Sequence, residues 1–189
     1  MEKLCKTAKA EQKKEALEKA LLELMALNDY NDISVIQICE KTNAPRRRFY
    51  QYFSTKDDLL HSMIIHFIEK IDYYEIISIS SGYSSTQNEL SRCLRFWKEN
   101  KRVLDILEKN HLTAYLVECI AEHTIEEEKK IPMIRSPKHT VDSDTSILFM
   151  VGGTMSVILA WYKNGYPESI ENLSQSLNAL LTSGCFDSN

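Results

Sequence analysis

Apolar positions along this chain recur at intervals of three and four, the spacing of one helix face. Leu17, Leu21, Leu24 and Leu27 predict a first helix over about residues 9–28, ended by the turn-formers Asn28-Asp29-Tyr30-Asn31-Asp32. Ser34 with Gln37 three residues on is a capping box, so a short helix opens near Val35 with Val35, Ile38 and Cys39 on one face. It stops near Thr42-Asn43, because Asn enters the left-handed region at low cost. Pro45 suits the first turn of the next helix, where a missing N–H does no harm, and Phe49 and Phe53 form its buried face. Ser54 with Asp57 reads as a second capping box. It opens a long helix toward Ile77, along which Leu60, Met63, Ile64, Phe67, Ile68 and Ile71 repeat at three and four. The Ser-rich stretch from Ser78 to Ser85, with Gly82, is the first clear break.

Five further helices follow. About residues 86–99 carry Leu90, Leu94 and Trp97; 101–109 carry Val103, Leu104 and Leu107; 112–130 carry Leu112, Tyr115, Leu116, Cys119, Ile120 and His123. Residues 131–142, with Pro132 and Pro137, read as a loop. The helix over 144–164 has two apolar faces, one of Ile147, Val151, Met155, Ile158 and Tyr162, the other of Met150, Val157 and Trp161. A surface helix needs only one, so burial on both sides is expected, and Gly152-Gly153 admits close approach by another helix. Gly165 ends it. Pro167 starts a last helix with Ile170, Leu173, Leu177 and Leu180. The expected fold is all-α with about nine helices, a three-helix head over residues 1–53 and a helical body over 54–189.

Composition adds limits. A chain of 189 residues with 43% hydrophobic and 26% charged residues suits a soluble globular protein. The net charge of -4 gives no argument for a polyanion partner, so a local patch must carry one. Up to Leu60 lie 11 of the 23 basic and 10 of the 27 acidic residues, leaving 12 against 17 beyond, so the acidic excess sits away from the head. The five cysteines form no CxxC pair and read as buried hydrophobes in a reducing cytoplasm. The N-terminus lacks the apolar core of a signal peptide, and its lysines read as a solvated arm or, alternatively, as a phosphate-contacting arm beside the first helix. No run approaches the ~20 apolar residues of a membrane span.

Between Lys41 and Lys56 stand five basic residues (Lys41, Arg46, Arg47, Arg48, Lys56) and no acid. Three arginines crowd a helix N-terminus, where each cation costs roughly 0.3–1 kcal/mol. An external anion offsets that cost, and DNA phosphate is the natural one. Helix, tight turn, helix is the DNA-binding helix-turn-helix arrangement. The order of residues from about Ala16 to Phe67, densest at Phe49-Tyr50-x-Tyr52-Phe53-x-x-Lys56-x-x-Leu59, resembles the TetR family of transcriptional regulators. Two positions depart from that pattern: Asn43 where the family often has Gly, and Arg47 where it usually has a small residue.

The expected function is that of a transcriptional regulator, a repressor by the family's commoner mode, binding double-stranded operator DNA as a homodimer. Arg46 and Arg47 fall where a recognition helix meets base edges, and Arg to guanine is the commonest specific contact. Gln51 reads adenine or backbone. Val35 and Arg48 are counted with the DNA-facing residues. The resemblance gives Tyr50, Tyr52 and Lys56 to phosphates. It also implies a small-molecule effector in the body, with candidate contacts at Phe67 and Tyr74, at Phe96 and Trp97, at Tyr115 and Cys119, and at Phe149 and Trp161. The dimer face is expected at Met150, Gly153, Val157 and Trp161 on one helix and Leu173, Leu177 and Leu180 on the next. No GxSxG, P-loop, HExxH or GxGxxG is present, so no enzyme and no cofactor is expected. The pairs His66/Glu69 and His123/Glu126 have metal-compatible spacing but stand singly, and no metal is expected. A second reading keeps the fold as a coactivator or interaction module for a metabolite or protein, because a bulky Arg47 obstructs close approach to the DNA backbone.

Overall fold

The structure, a computed structural model, describes residues 8–71, 87–130 and 143–182. These form nine α-helices and no strand: α1 (Ala8–Leu27), a 3-10 turn (Tyr30–Asp32), α2 (Val35–Lys41), α3 (Arg46–Tyr52), α4 (Lys56–Ile68), α5 (Gln87–Glu99), α6 (Lys101–Lys109), α7 (Thr113–Lys130), α8 (Ser143–Lys163) and α9 (Ile170–Thr182). Tyr74, Ile77, the 78–85 break and the 131–142 loop lie outside the described residues. Backbone contacts divide the chain into two compact units, Met1–Phe67 with Arg102–Thr113, and Ile68–Lys101 with Ala114–Asn189.

In the first unit α1 buries Leu17, Ala20, Leu21 and Met25. Leu27, expected in that stripe, is exposed, because the 3.6-residue repeat drifts and Met25 takes the last buried place. The Ser34–Gln37 capping box forms as read: Gln37 N–H donates to Ser34 Oγ (3.3 Å) and Ser34 N–H to Gln37 Oε1 (2.7 Å). The second capping box is displaced by one residue. Asp58 N–H donates to Thr55 Oγ1 (3.0 Å), and Asp58 Oδ2 accepts from Thr55 N–H (3.0 Å) and Ser54 N–H (2.8 Å). Asp57 is engaged elsewhere, accepting the Tyr30 hydroxyl. His66 also bonds away from its sequence neighbour Glu69. Its Nδ1 lies 2.9 Å from the buried Glu18 carboxylate on α1, which accepts the Ser62 hydroxyl at 2.7 Å.

The second unit is built on α5, which packs against α9 and α8. Leu90, Cys93, Leu94 and Trp97 of α5, Leu116, Cys119 and Ile120 of α7, Ile147, Val151, Met155 and Ile158 of α8, and Leu173 and Leu177 of α9 are buried. Burial pushes the Cys93 thiol up to about 12 and the Cys119 thiol to about 11, so these sulfurs act as apolar filler. Gly165 and Tyr166, at φ 76° and 61°, turn the chain after α8. The last helix opens at Ile170 rather than Pro167, because Ser169 caps it: Asn172 N–H donates to Ser169 Oγ at 3.2 Å. By length and composition Asp144–Lys163 is a helix able to cross a membrane, and a third of it is buried in the chain. No uninterrupted apolar run shows this, because Thr, Ser and Gly are interspersed, yet Thr145 to Tyr162 carries no charge.

Candidate nucleic-acid interface

The turn between α2 and α3 is set by local chemistry. Thr42 caps α2, its hydroxyl donating to Ile38 O at 3.1 Å. Asn43 takes φ 50°, the left-handed conformation for which Asn is suited, and Ala44 N–H closes the turn on Cys39 O at 2.9 Å. Pro45 then sits at the N-cap of α3 with φ -66°. Phe49 and Phe53 anchor α3 in the core, their ring centroids 5.8 Å apart. On α2, Val35 is half-buried, while Ile38 and Cys39 are buried. Lys41 is drawn back to α1 by Glu23 at 2.9 Å, and this bonded ammonium holds the Glu23 carboxyl below its ordinary range.

With its phenylalanines inward, α3 turns Arg46, Arg47, Tyr50 and Gln51 outward. The spacing i, i+1, i+4, i+5 is one helical face. Tyr50 is 50% exposed, its ring edge-to-face with Phe49 at 5.3 Å. Arg48 and Tyr52 flank this face half-buried. Among the described residues none of the three arginines has an ion-pair partner. A helix start carrying uncompensated guanidinium groups and an amide side chain fits phosphates and base edges.

Lys56 has an inward task. Its ammonium donates to Tyr30 O (2.5 Å) and Ile33 O (2.8 Å) and lies 4.1 Å from the centre of the Tyr30 ring. Burial lowers its pKa. Lys56→Met leaves both carbonyls without this donor, and we expect a loss of about 1–3 kcal/mol in urea unfolding; an unchanged midpoint removes the structural role.

The effector candidates do not share one environment. Trp97, Cys119 and Trp161 are buried, while Phe67, Phe96 and Tyr115 are half-buried. Phe149 is 66% exposed, so it lines no interior cavity. Trp161 is committed to the fold: its indole N–H donates to Glu168 O (3.0 Å) and its ring meets Tyr166 edge-on at 4.6 Å. Of the candidate dimer residues, Trp161, Leu173 and Leu177 are filled into the core of their own unit, Met150 and Val157 are half-buried, and Gly153 and Leu180 are exposed. Leu148, which sequence reading omitted, is 54% exposed beside Phe149. Its signal was the stripe Leu148, Phe149, Gly152, Gly153, Ser156 on one helix face.

A family model described as bacterial regulatory proteins of the tetR family matches residues 17–63, and one described as a transcriptional regulator C-terminal region matches residues 84–183. The chain is 29% identical over 169 residues to the HTH-type dhaKLM operon transcriptional activator DhaS of Lactococcus lactis subsp. lactis (strain IL1403), covering 86% of each protein. It is 36% identical over 78 residues, 40% of this chain and 20% of the relative, to the uncharacterized HTH-type transcriptional regulator YxbF of Bacillus subtilis (strain 168). The solved structure of the dihydroxyacetone kinase operon activator DhaS superposes with a TM-score of 0.50 at 24% identity, covering 90% of this chain and 94% of that one.

Proposed function

The chain belongs to the TetR family of transcriptional regulators, a DNA-binding regulator and not an enzyme, and from that premise we propose that it binds a palindromic operator as a homodimer, in the cytoplasm, under the control of a small-molecule effector. The outward face of α3 carries the reading. Arg46, Arg47 and Gln51 meet base edges, while Arg48, Tyr50 and Tyr52 hold the phosphates. A two-fold dimer presents two α3 helices to half-sites roughly 34 Å apart or a multiple of it. The head is residues 1–53 in sequence order and the regulatory body follows from 54, with the effector held in the unit of α5, α7, α8 and α9. Phe96 and Tyr115, half-buried aromatics of that unit, support an apolar or aromatic effector.

Dimerisation is supported by α8 and α9. Leu148, Phe149 and Leu180 are exposed, and a Cβ built on Gly152 or Gly153 meets nothing within 4 Å. An apolar face with two open glycines suits a second copy of α8. Selection from genomic fragments followed by footprinting locates the operator. Neutralising ~8 phosphates gives a log–log slope of affinity against salt of about −7. A slope near zero, or no fragment recovered, defeats the reading.

The relative DhaS, named as an activator, favours a second reading in which this protein raises transcription. Repression remains the family's commoner mode. Deleting the gene raises expression from the footprinted promoter under repression and lowers it under activation.

A further inference from the structure

The turn Tyr30–Asp32 that carries the chain from α1 into α2 is gripped from two sides. Lys56 holds its carbonyl side, and the Tyr30 hydroxyl donates to Asp57 beside it. On the other side stands Asn110, directly after α6 and only 7% exposed. Its Oδ1 accepts the Tyr30 N–H at 2.6 Å, and its Nδ2 donates to Met25 O (3.2 Å) and Ile106 O (2.7 Å). The amide thus meets a donor of the turn and a carbonyl in the last turn of α1, which has no partner within its own helix. Lys109 adds a bond to Ala26 O at 2.9 Å. His111, at φ 57°, lets the chain leave α6 immediately after, with Leu112 N–H closing on Leu107 O at 2.8 Å.

The contacts of α6 and its place in the sequence differ. Residues 84–183, which include α6, match the model described as a transcriptional regulator C-terminal region, yet Arg102–Thr113 forms one compact unit with Met1–Phe67. From this juxtaposition we propose that Asn110 is a positioning residue for operator recognition: by pinning Tyr30 to the end of α1 it sets the stance of α2 and α3. The inference rests on the DNA-binding reading and adds to it a residue far from the head in sequence.

The test uses the full-length protein, its footprinted operator, and amide hydrogen exchange in the absence of DNA. Asn110→Ala removes all three side-chain bonds. It is expected to speed exchange at Tyr30 and across α2 and α3 by about tenfold while α8 and α9 keep their protection, and to weaken operator binding by about tenfold. Asn110→Leu, which keeps about the volume of the side chain but none of its bonds, is expected to change both as Asn110→Ala does. Equal operator affinity for wild type and Asn110→Ala, or exchange that rises evenly through the chain, overturns the proposal. Wild-type behaviour in Asn110→Leu assigns the effect to packing and overturns it too. A wild-type protein that binds no fragment at all instead defeats the DNA reading on which the proposal stands.

Discussion

Replacing Arg46 and Arg47 together by alanine is expected to leave the protein folded and to remove most of its operator affinity. Both side chains are exposed at the start of α3 and make no ion pair among the described residues, so no packing is lost with them. Each cation at that helix end carries a small electrostatic cost, so the melting temperature should hold or rise slightly. A good Arg–base contact contributes about 1–3 kcal/mol, so the pair together accounts for roughly 2–6 kcal/mol, or about 30-fold to 10⁴-fold in affinity. Titration of a labelled operator measures the loss, and a thermal melt of the same preparation shows that the fold survived. Affinity within twofold of wild type would take base reading away from α3. The double variant also bears on Arg47 at its usually small position: if this side chain obstructs the backbone, Arg47→Ala alone tightens binding while Arg46→Ala weakens it.

Phe149→Glu is expected to leave the protein monomeric at micromolar concentration, where the unaltered chain forms the proposed homodimer. Phe149 is 66% exposed in the single chain, so the substitution has solvent to occupy when the protein is alone. Across an interface it forfeits about 1.5–3 kcal/mol of ring burial per copy, and two-fold symmetry counts that loss twice, giving about 10²- to 10⁴-fold in Kd. Gly153→Leu separates a contact from a fold effect. Nothing lies within 4 Å of a Cβ built there, and removing a mid-helix Gly adds about 1 kcal/mol to the stability of the helix. The expected result is therefore a higher melting temperature for the isolated chain together with a weaker dimer. Sedimentation velocity across a concentration series reads both variants. A dimer that persists in both places the interface elsewhere than on the Leu148–Gly153 face.

Much of the head was legible because its instructions are local. Ser34 with Gln37, Asn43 in its left-handed turn, Pro45 before α3, and Phe49 with Phe53 each act within about four residues of themselves. A helix start, a turn and a buried face need nothing more. The outward set Arg46, Arg47, Tyr50 and Gln51 follows once the phenylalanines are inside. The Ser54 cap was misplaced because Thr55 offers an equivalent hydroxyl, and the choice between them involves Asp57, which is taken by Tyr30 from 27 residues away. Apolar periodicity also left α8 and α9 ambiguous: it shows which positions are apolar but not which neighbour covers them. Trp161, Leu173 and Leu177 therefore went to the core of their own unit, while Phe149, expected in a pocket, came out on the surface.

The chain alone determined an all-helical fold, a helix-turn-helix and an arginine-bearing α3, because capping, turn chemistry and hydrophobic spacing are decided between near neighbours. Only the tertiary structure decided that Lys56 faces inward, that Glu18 meets His66, and that Asn110 reaches Tyr30 across 80 residues. Such pairings depend on where whole helices come to rest, and a lone polar residue after a helix looks the same in sequence whether it meets water or the backbone of a distant turn.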